Sequence, residues 1–293
     1  MLKKFSILIF LLIPLTATAK LKVVTTIPDL AALTREVGGD KVDVKSLAPA
    51  GQDPHTLEPK PSYVVAVNQA DLLIEVGLSL EVGWLPVLTT QARNPKIQKG
   101  QPGHLEASVG IRILEIPTAA IDRSMGDIHP EGNPHYWLDP RNGLIIASNI
   151  AARLAELDPE NAKFYQDHYS TFRQEFSEKI KGWEKSLAKV RGKKIVTQHR
   201  SFSYFVDWAG LQSVGQIEPK PGIPPTPSHL LSLIDILKKG SVAFMLVEDY
   251  YDTKPSQELS KKTGVPVLVV PTSSGSRYEE LFENLVQKIV GLP

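Results

Sequence analysis

Between Asp158 and Val190 an apolar residue recurs every three or four positions: Tyr165, Tyr169, Phe172, Phe176, Ile180, Trp183, Leu187 and Val190. Residues so spaced share one face only in an α-helix. Asp158 suits the N-cap, Pro159 the first helical position, and Glu160 the positive end of the helix dipole. About 30 residues of helix make a rod of roughly 45 Å, longer than a single small lobe needs. Residues 158–190 therefore read as a helix linking two lobes, with a ligand cleft between them. The plainer alternative is a long helix packed along one large domain.

The flanking sequence fits the two-lobe reading. Short β-branched runs alternate with helical stretches on both sides of the rod, which implies parallel βα units. In the first half, strands are predicted at Leu21–Thr26, Val42–Leu47 and Asp71–Val76, and helices at Asp29–Val37, Ser62–Gln69 and Glu81–Gln91. In the second, strands are predicted at Lys194–Thr197, Ser213–Ile217, Val242–Val247 and Val267–Val270. Its helices fall at Ser203–Ala209, Ser228–Lys238, Ser256–Thr263 and Tyr278–Val290. The expected fold class is α/β: one lobe over 20–157 and one over 191–293, each with a parallel sheet.

Residues 1–19 have the form of a secretory signal peptide, with Lys3 and Lys4, an apolar run from Phe5 to Leu15, and Ala17-Thr18-Ala19. That run is short of the about 20 residues a membrane-spanning helix needs. The expected mature chain begins near Lys20 and is soluble and periplasmic. The sequence has no cysteine, hence no disulfide, thiolate ligand or lipid-anchor thiol. A chain of this length buries enough surface to fold without disulfides. The net charge is +1, with both signs interspersed, so nothing marks a nucleic acid as partner. A monomer is expected.

Seven histidines are present, and three lie in turn-rich connections. His55 follows Asp53-Pro54 after the second strand, His135 follows Asn133-Pro134, and His199 follows Val196-Thr197-Gln198 at the carboxyl end of a strand. Ligands of open α/β sheets bind beyond the carboxyl ends of strands. Two histidines from the first lobe and one from the second can thus meet in the cleft. Three imidazoles suit zinc, which takes nitrogen at about 2.0–2.1 Å, and also suit copper, nickel and iron.

Three blocks, Gly51-Gln52-Asp53-Pro54-His55-Thr56-Leu57-Glu58-Pro59, Asn133 to Pro140 and Thr197 to Phe205, resemble in order the zinc/manganese family of ABC-transporter substrate-binding proteins (cluster A-I, zinc-binding branch). The resemblance runs from about Lys22 to the C-terminus. It implies two α/β lobes joined by one long helix, with the metal site in the cleft between them. It also implies His55, His135 and His199 as direct metal ligands, and an inner-membrane permease and its ATPase as partners. A soluble periplasmic metallochaperone is a further candidate partner.

Relatives commonly supply an Asp after the last strand, but here Val270-Pro271-Thr272-Ser273-Ser274-Gly275 offers no carboxylate. The fourth position stays open between water, the default occupant, and Glu248, Asp249 or His129. Where some zinc-specific relatives carry a long histidine-rich insertion, only the loop Asp127–Gly132 is present. Zinc is the expected metal, since manganese-selective relatives bring more carboxylate; manganese or another divalent transition metal is the alternative. A zinc-dependent hydrolase with three histidines and a metal-bound water is the competing function, with Glu58 beside His55 weighed as a base. A surface adhesin is a third, and the missing lipid-anchor cysteine argues against it.

Overall fold

The computed structural model describes residues 19–119, 129–220 and 222–292. Residues 1–18 of the expected signal peptide 1–19 and the loop positions Asp127 and Ile128 lie outside the described residues.

The first lobe contains β1 (Leu21–Thr25), α1 (Pro28–Gly38), β2 (Val42–Ser46), α2 (Pro61–Gln69), β3 (Leu72–Glu75), α3 (Leu85–Ala92) and β4 (His104–Glu106). Two long helices follow, α4 (Pro140–Leu157) and α5 (Ala162–Leu187). The second lobe contains β5 (Lys194–Thr197), α6 (Ser203–Ala209), β6 (Gln212–Gln216), α7 (Pro227–Lys239), β7 (Val242–Glu248), α8 (Lys254–Thr263), β8 (Val267–Val270) and α9 (Tyr278–Val290). The sheets, ordered β2-β1-β3-β4 and β6-β5-β7-β8, are parallel throughout and share one winding order. No described helix is long and apolar enough to cross a membrane.

Most predicted elements fall within a few residues of the observed ones, and the shifts have local causes. A proline opens α1, α2 and α7, where its missing N–H costs nothing, so these helices begin one residue before the predicted start. Strand β4 escapes a periodicity reading because only Leu105 of its three residues is buried. The linking helix is shorter than the predicted span 158–190, with 26 residues or about 39 Å. A 3-10 turn flanks it at each end, Pro159–Asn161 and Ala188–Val190. Asp158 makes no backbone cap and instead accepts hydrogen bonds from the Tyr165 hydroxyl and Asn161 Nδ2, each at 2.7 Å.

The stripe itself is buried, except that Tyr169 is half-buried. Phe176 packs on Trp183, Tyr278 and Phe282, and Trp208 of α6 meets Phe282 edge-on at 5.9 Å. This aromatic layer joins both lobes into one core, with α1, α4, α5 and α9 as its walls. Gly143 of α4 is required there, because a Cβ would stand 2.2 Å from the Tyr278 ring. Each lobe adds a smaller outer cluster of its own, under α2 and α3 in the first and under α7 and α8 in the second.

Candidate metal centre

His55, His135 and His199 converge where the lobes face each other, and one ring nitrogen from each lies within 4.8 Å of those of the other two. No carboxylate joins a convergent group of this kind among the described residues. In each histidine Nδ1 is occupied by an oxygen, and Nε2 is left to point inward. Asp53 Oδ1 holds His55 at 2.7 Å, Asn133 Oδ1 holds His135 at 2.9 Å, and Glu218 Oε2 holds His199 at 3.0 Å. An acceptor at Nδ1 sets the tautomer that carries its proton there, so Nε2 presents a lone pair.

The first two supports are one local device used twice. In Asp53-Pro54-His55 and in Asn133-Pro134-His135 the Asx oxygen accepts both the backbone N–H and the ring N–H of the histidine two residues on. The Asx-Pro-His repeat is visible in the sequence and is the signal by which Asp53 and Asn133 could have been found. Glu218 leaves no such signal. It stands 19 residues from His199 and arrives because backbone pairing continues past β6, with Ile217 N–H donating to Thr197 O and Glu218 N–H to Gln198 O.

His135 is the most enclosed ligand candidate. Its Nε2 is buried and has no hydrogen-bond partner. A buried ring nitrogen left bare costs free energy unless something binds it. Burial, then the charges of His55, His199 and His129, push its pKa well below the ordinary histidine value, so the ring is a neutral donor. Asp53 is held below the usual carboxylate range: burial would raise it, but hydrogen bonds and charge from His55 outweigh that. A divalent cation among the three imidazoles would be faced by the carboxylates of Asp53 and Glu218 behind them.

The block around His135 lies before α5 in sequence, and its hydrogen bonds run to both lobes: Tyr136 Oη donates to Val76 O of the first at 2.6 Å, and the others reach the second. Tyr204 Oη donates to Asn133 O at 2.9 Å, Asn133 Nδ2 donates to Arg200 O at 2.9 Å, and Trp137 Nε1 donates to Thr272 O at 2.9 Å. Tyr278 Oη donates to Trp137 O. Asp139 ends the block by capping α4 through Arg141 N–H, and Pro140 is the first residue of that helix.

The other candidates divide. His129 comes to the site, with its Nε2 3.2 Å from that of His55. Asp249 instead lines a separate crevice with Gly51, Ser273 and Glu280. Glu248 is fully buried at the end of β7, with both carboxyl oxygens unpartnered, and burial raises its pKa to about 8. Ser273 Oγ accepts from Gly51 N–H at 3.2 Å. The remaining histidines bond elsewhere: His104 to Glu75, His168 to Glu36 O beside the Phe164 ring, and His229 to Gln216 O.

Comparison with known proteins identifies the family. The family described as zinc-uptake complex component A, periplasmic, matches residues 23–291. The metal ABC transporter substrate-binding lipoprotein ScbA of Streptococcus cristatus is 32% identical over 86% of this chain and 79% of its own length. The manganese ABC transporter substrate-binding lipoprotein PsaA of Streptococcus pneumoniae is 31% identical, with the same coverage of each chain. Among solved structures, a zinc-bound deletion mutant of ZnuA superposes with a TM-score of 0.79 at 26% identity, covering 93% of this chain and 98% of that one.

Proposed function

The chain belongs to the zinc-uptake component A family, the metal-binding components of ABC transporters, and on that premise we propose that it carries zinc, held by His55, His135 and His199. The observation that carries this reading is the convergence of one ring nitrogen from each of three histidines whose Nδ1 atoms are all held by oxygen. Such a set presents three imidazole ligands and no carboxylate, which suits zinc better than the harder manganese ion. PsaA carries manganese in its name and the ZnuA mutant holds zinc, so kinship alone leaves the metal open.

The proposed setting is the periplasm. There the protein acts as a monomer that passes the ion to a permease driven by its ATPase, with a metallochaperone as a further donor or acceptor. The lobes are placed at 20–157 and 191–293, with 158–190 between them. The hydrolase alternative is not supported: the relatives are named as binding components, and Glu58, weighed as its base, is exposed.

The test is competition titration of zinc and manganese against the unaltered chain and His199→Ala. Zinc is expected to bind more tightly than manganese, and His199→Ala to weaken zinc by orders of magnitude, because a tetrahedral site loses a direct bond. Unchanged zinc affinity in that variant would remove His199 from the site.

A further inference from the structure

We infer that the first lobe holds a second binding site, separate from the metal centre, that takes a small organic ammonium ion with a compact apolar body. The inference does not rest on the carrier reading. Its central observation is a cavity of about 300 Å³ at the carboxyl ends of β3 and β4, which none of the three convergent histidines lines. That volume lies at the lower end of the roughly 300–1,000 Å³ of small-molecule pockets. The carboxyl ends of strands are also where open α/β sheets take ligands.

The sheet face beneath the cavity is unusual when set against its counterpart in the second lobe. β3 and β4 pair with Leu73 beside His104, Ile74 beside Leu105 and Glu75 beside Glu106. Ile74 and Leu105 enter the shared core, so the alternate residues Leu73, Glu75, His104 and Glu106 line the face turned to the outer cluster. In the second lobe β7 and β8 hold the same places in the winding order, and their outer face carries Met245, Val247, Val267 and Val269. One scaffold is filled once with apolar side chains and once with three ionisable ones. The fold itself does not call for charge at that place.

The carboxylates are held but not used up. Glu75 is only 7% exposed, yet it lines the cavity. Its Oε1 meets His104 Nε2 at 3.0 Å and Lys99 Nζ at 3.9 Å, while Oε2 has no hydrogen-bond partner among the described residues. Glu106 gives Oε1 to the Ser108 hydroxyl, and Glu131 gives Oε2 to the Ser79 hydroxyl, so each keeps a second oxygen without such a partner. Glu81 accepts from the N–H groups of Val76 and Gly77 at 2.8 and 3.2 Å. Burial, and then the charge of Glu75, raise its pKa to about 7. Four carboxylates thus share one lysine and one histidine, and a cation relieves their repulsion where an anion would add to it.

The backbone makes room for this arrangement. Gly77, Leu78 and Ser79 are successive left-handed residues, with φ of 79°, 51° and 62°. A Cβ on Gly77 would stand 2.4 Å from the carboxyl carbon of Glu106. The remaining walls are apolar, with Leu85, Pro86 and Ile97 beside Val82, which is 70% exposed and would be covered by the body of a ligand. Among the described residues only the three cleft histidines converge closely enough to hold a metal ion. Carboxylates spread over a half-apolar cavity therefore suit a larger organic cation, with its ammonium group against Glu75 and Glu106.

The experiment titrates the full chain, with and without saturating zinc, with benzylammonium and with benzyl alcohol and benzoate as its neutral and anionic counterparts. Backbone amide shifts report the place of binding. Benzylammonium is expected to bind at millimolar concentration or below in both forms, moving the amides of Gly77 to Val82 and of His104 to Glu106. Benzyl alcohol should bind about tenfold more weakly, and benzoate more weakly still. Glu75→Gln and Glu106→Gln should each weaken benzylammonium about tenfold, as for loss of one charge-assisted hydrogen bond. Glu258→Gln, on α8 of the second lobe, should leave it unchanged. Melts verify folding, and the less buried Glu106 keeps the test available if Glu75→Gln does not fold. No amide shift with benzylammonium or the slimmer butylammonium, or equal binding of benzyl alcohol, would overturn the inference. So would calcium displacing benzylammonium at lower concentration than butylammonium does, which would make this a metal site.

Discussion

The floor and the rim of the metal centre are built differently. The floor is the His135 block, which is bonded to the first lobe by Tyr136 and to the second by Tyr204, Trp137 and Tyr278, and stands over an aromatic core common to both lobes. The rim is His55 and His129, both half-buried and carried on loops of the first lobe. A floor that belongs to both lobes resists a wide swing of one against the other, because opening it means separating packed aromatic surface. Opening is therefore expected at the rim. The difference teaches that a ligand's position along the chain does not tell how many lobes hold it.

The largest expected effect tests the shared floor. Phe176→Ala should cost about 3 to 5 kcal/mol of stability, the usual toll of emptying a buried aromatic site. Denaturant unfolding should remain a single transition in both chains, read by far-UV circular dichroism and tryptophan fluorescence together. Two separated transitions would mean that the lobes fold independently, and the contrast drawn here would fail.

The pH dependence of the metal-free protein comes next. Burial raises Glu248 from the ordinary value of 4.5 to about 8. The folded chain thus keeps a proton that the unfolded chain has lost, and stability falls as pH rises across that window. Burial raises Asp29 and Glu81 to about 7, with the same sign. His129 on the rim acts oppositely. Its folded pKa is about 4, so below pH 6.5 the unfolded chain takes the proton first and stability falls on acidification. Urea melts from pH 4 to 9 should show Glu248→Gln flattening the alkaline limb and His129→Ala the acid limb. Identical curves for either variant and its parent would discard that assignment.

The smallest effect compares the supports of two ligands. Glu218→Gln keeps an acceptor for His199 and removes its charge in a buried place, and should weaken zinc by about tenfold. Asp53→Asn does the same at the more exposed rim, where Asp53 is 28% accessible, and should cost less. A larger loss at Asp53 would reverse the ranking of floor over rim.

Much of this was legible before any fold was known. The stripe from Tyr165 to Val190 is a helix because side-chain spacing is a local property, and the β-branched runs are strands for the same reason. The three ligand blocks could be read because each carries its own turn chemistry, including the Asx-Pro-His device that orients two of the rings. Beyond these local patterns the sequence is silent. Glu218 reaches His199 only through the pairing of β5 with β6, and the fold sets Asp249 in a crevice with Ser273 and Glu280. It also brings the His129 ring to face that of His55. The sequence by itself determined the periodicities, the caps and the donor types, because those depend on neighbours along the chain. Tertiary structure alone decided which lone pairs share one volume, because residues separated by up to 144 positions, as His55 and His199 are, meet only through packing of the whole core.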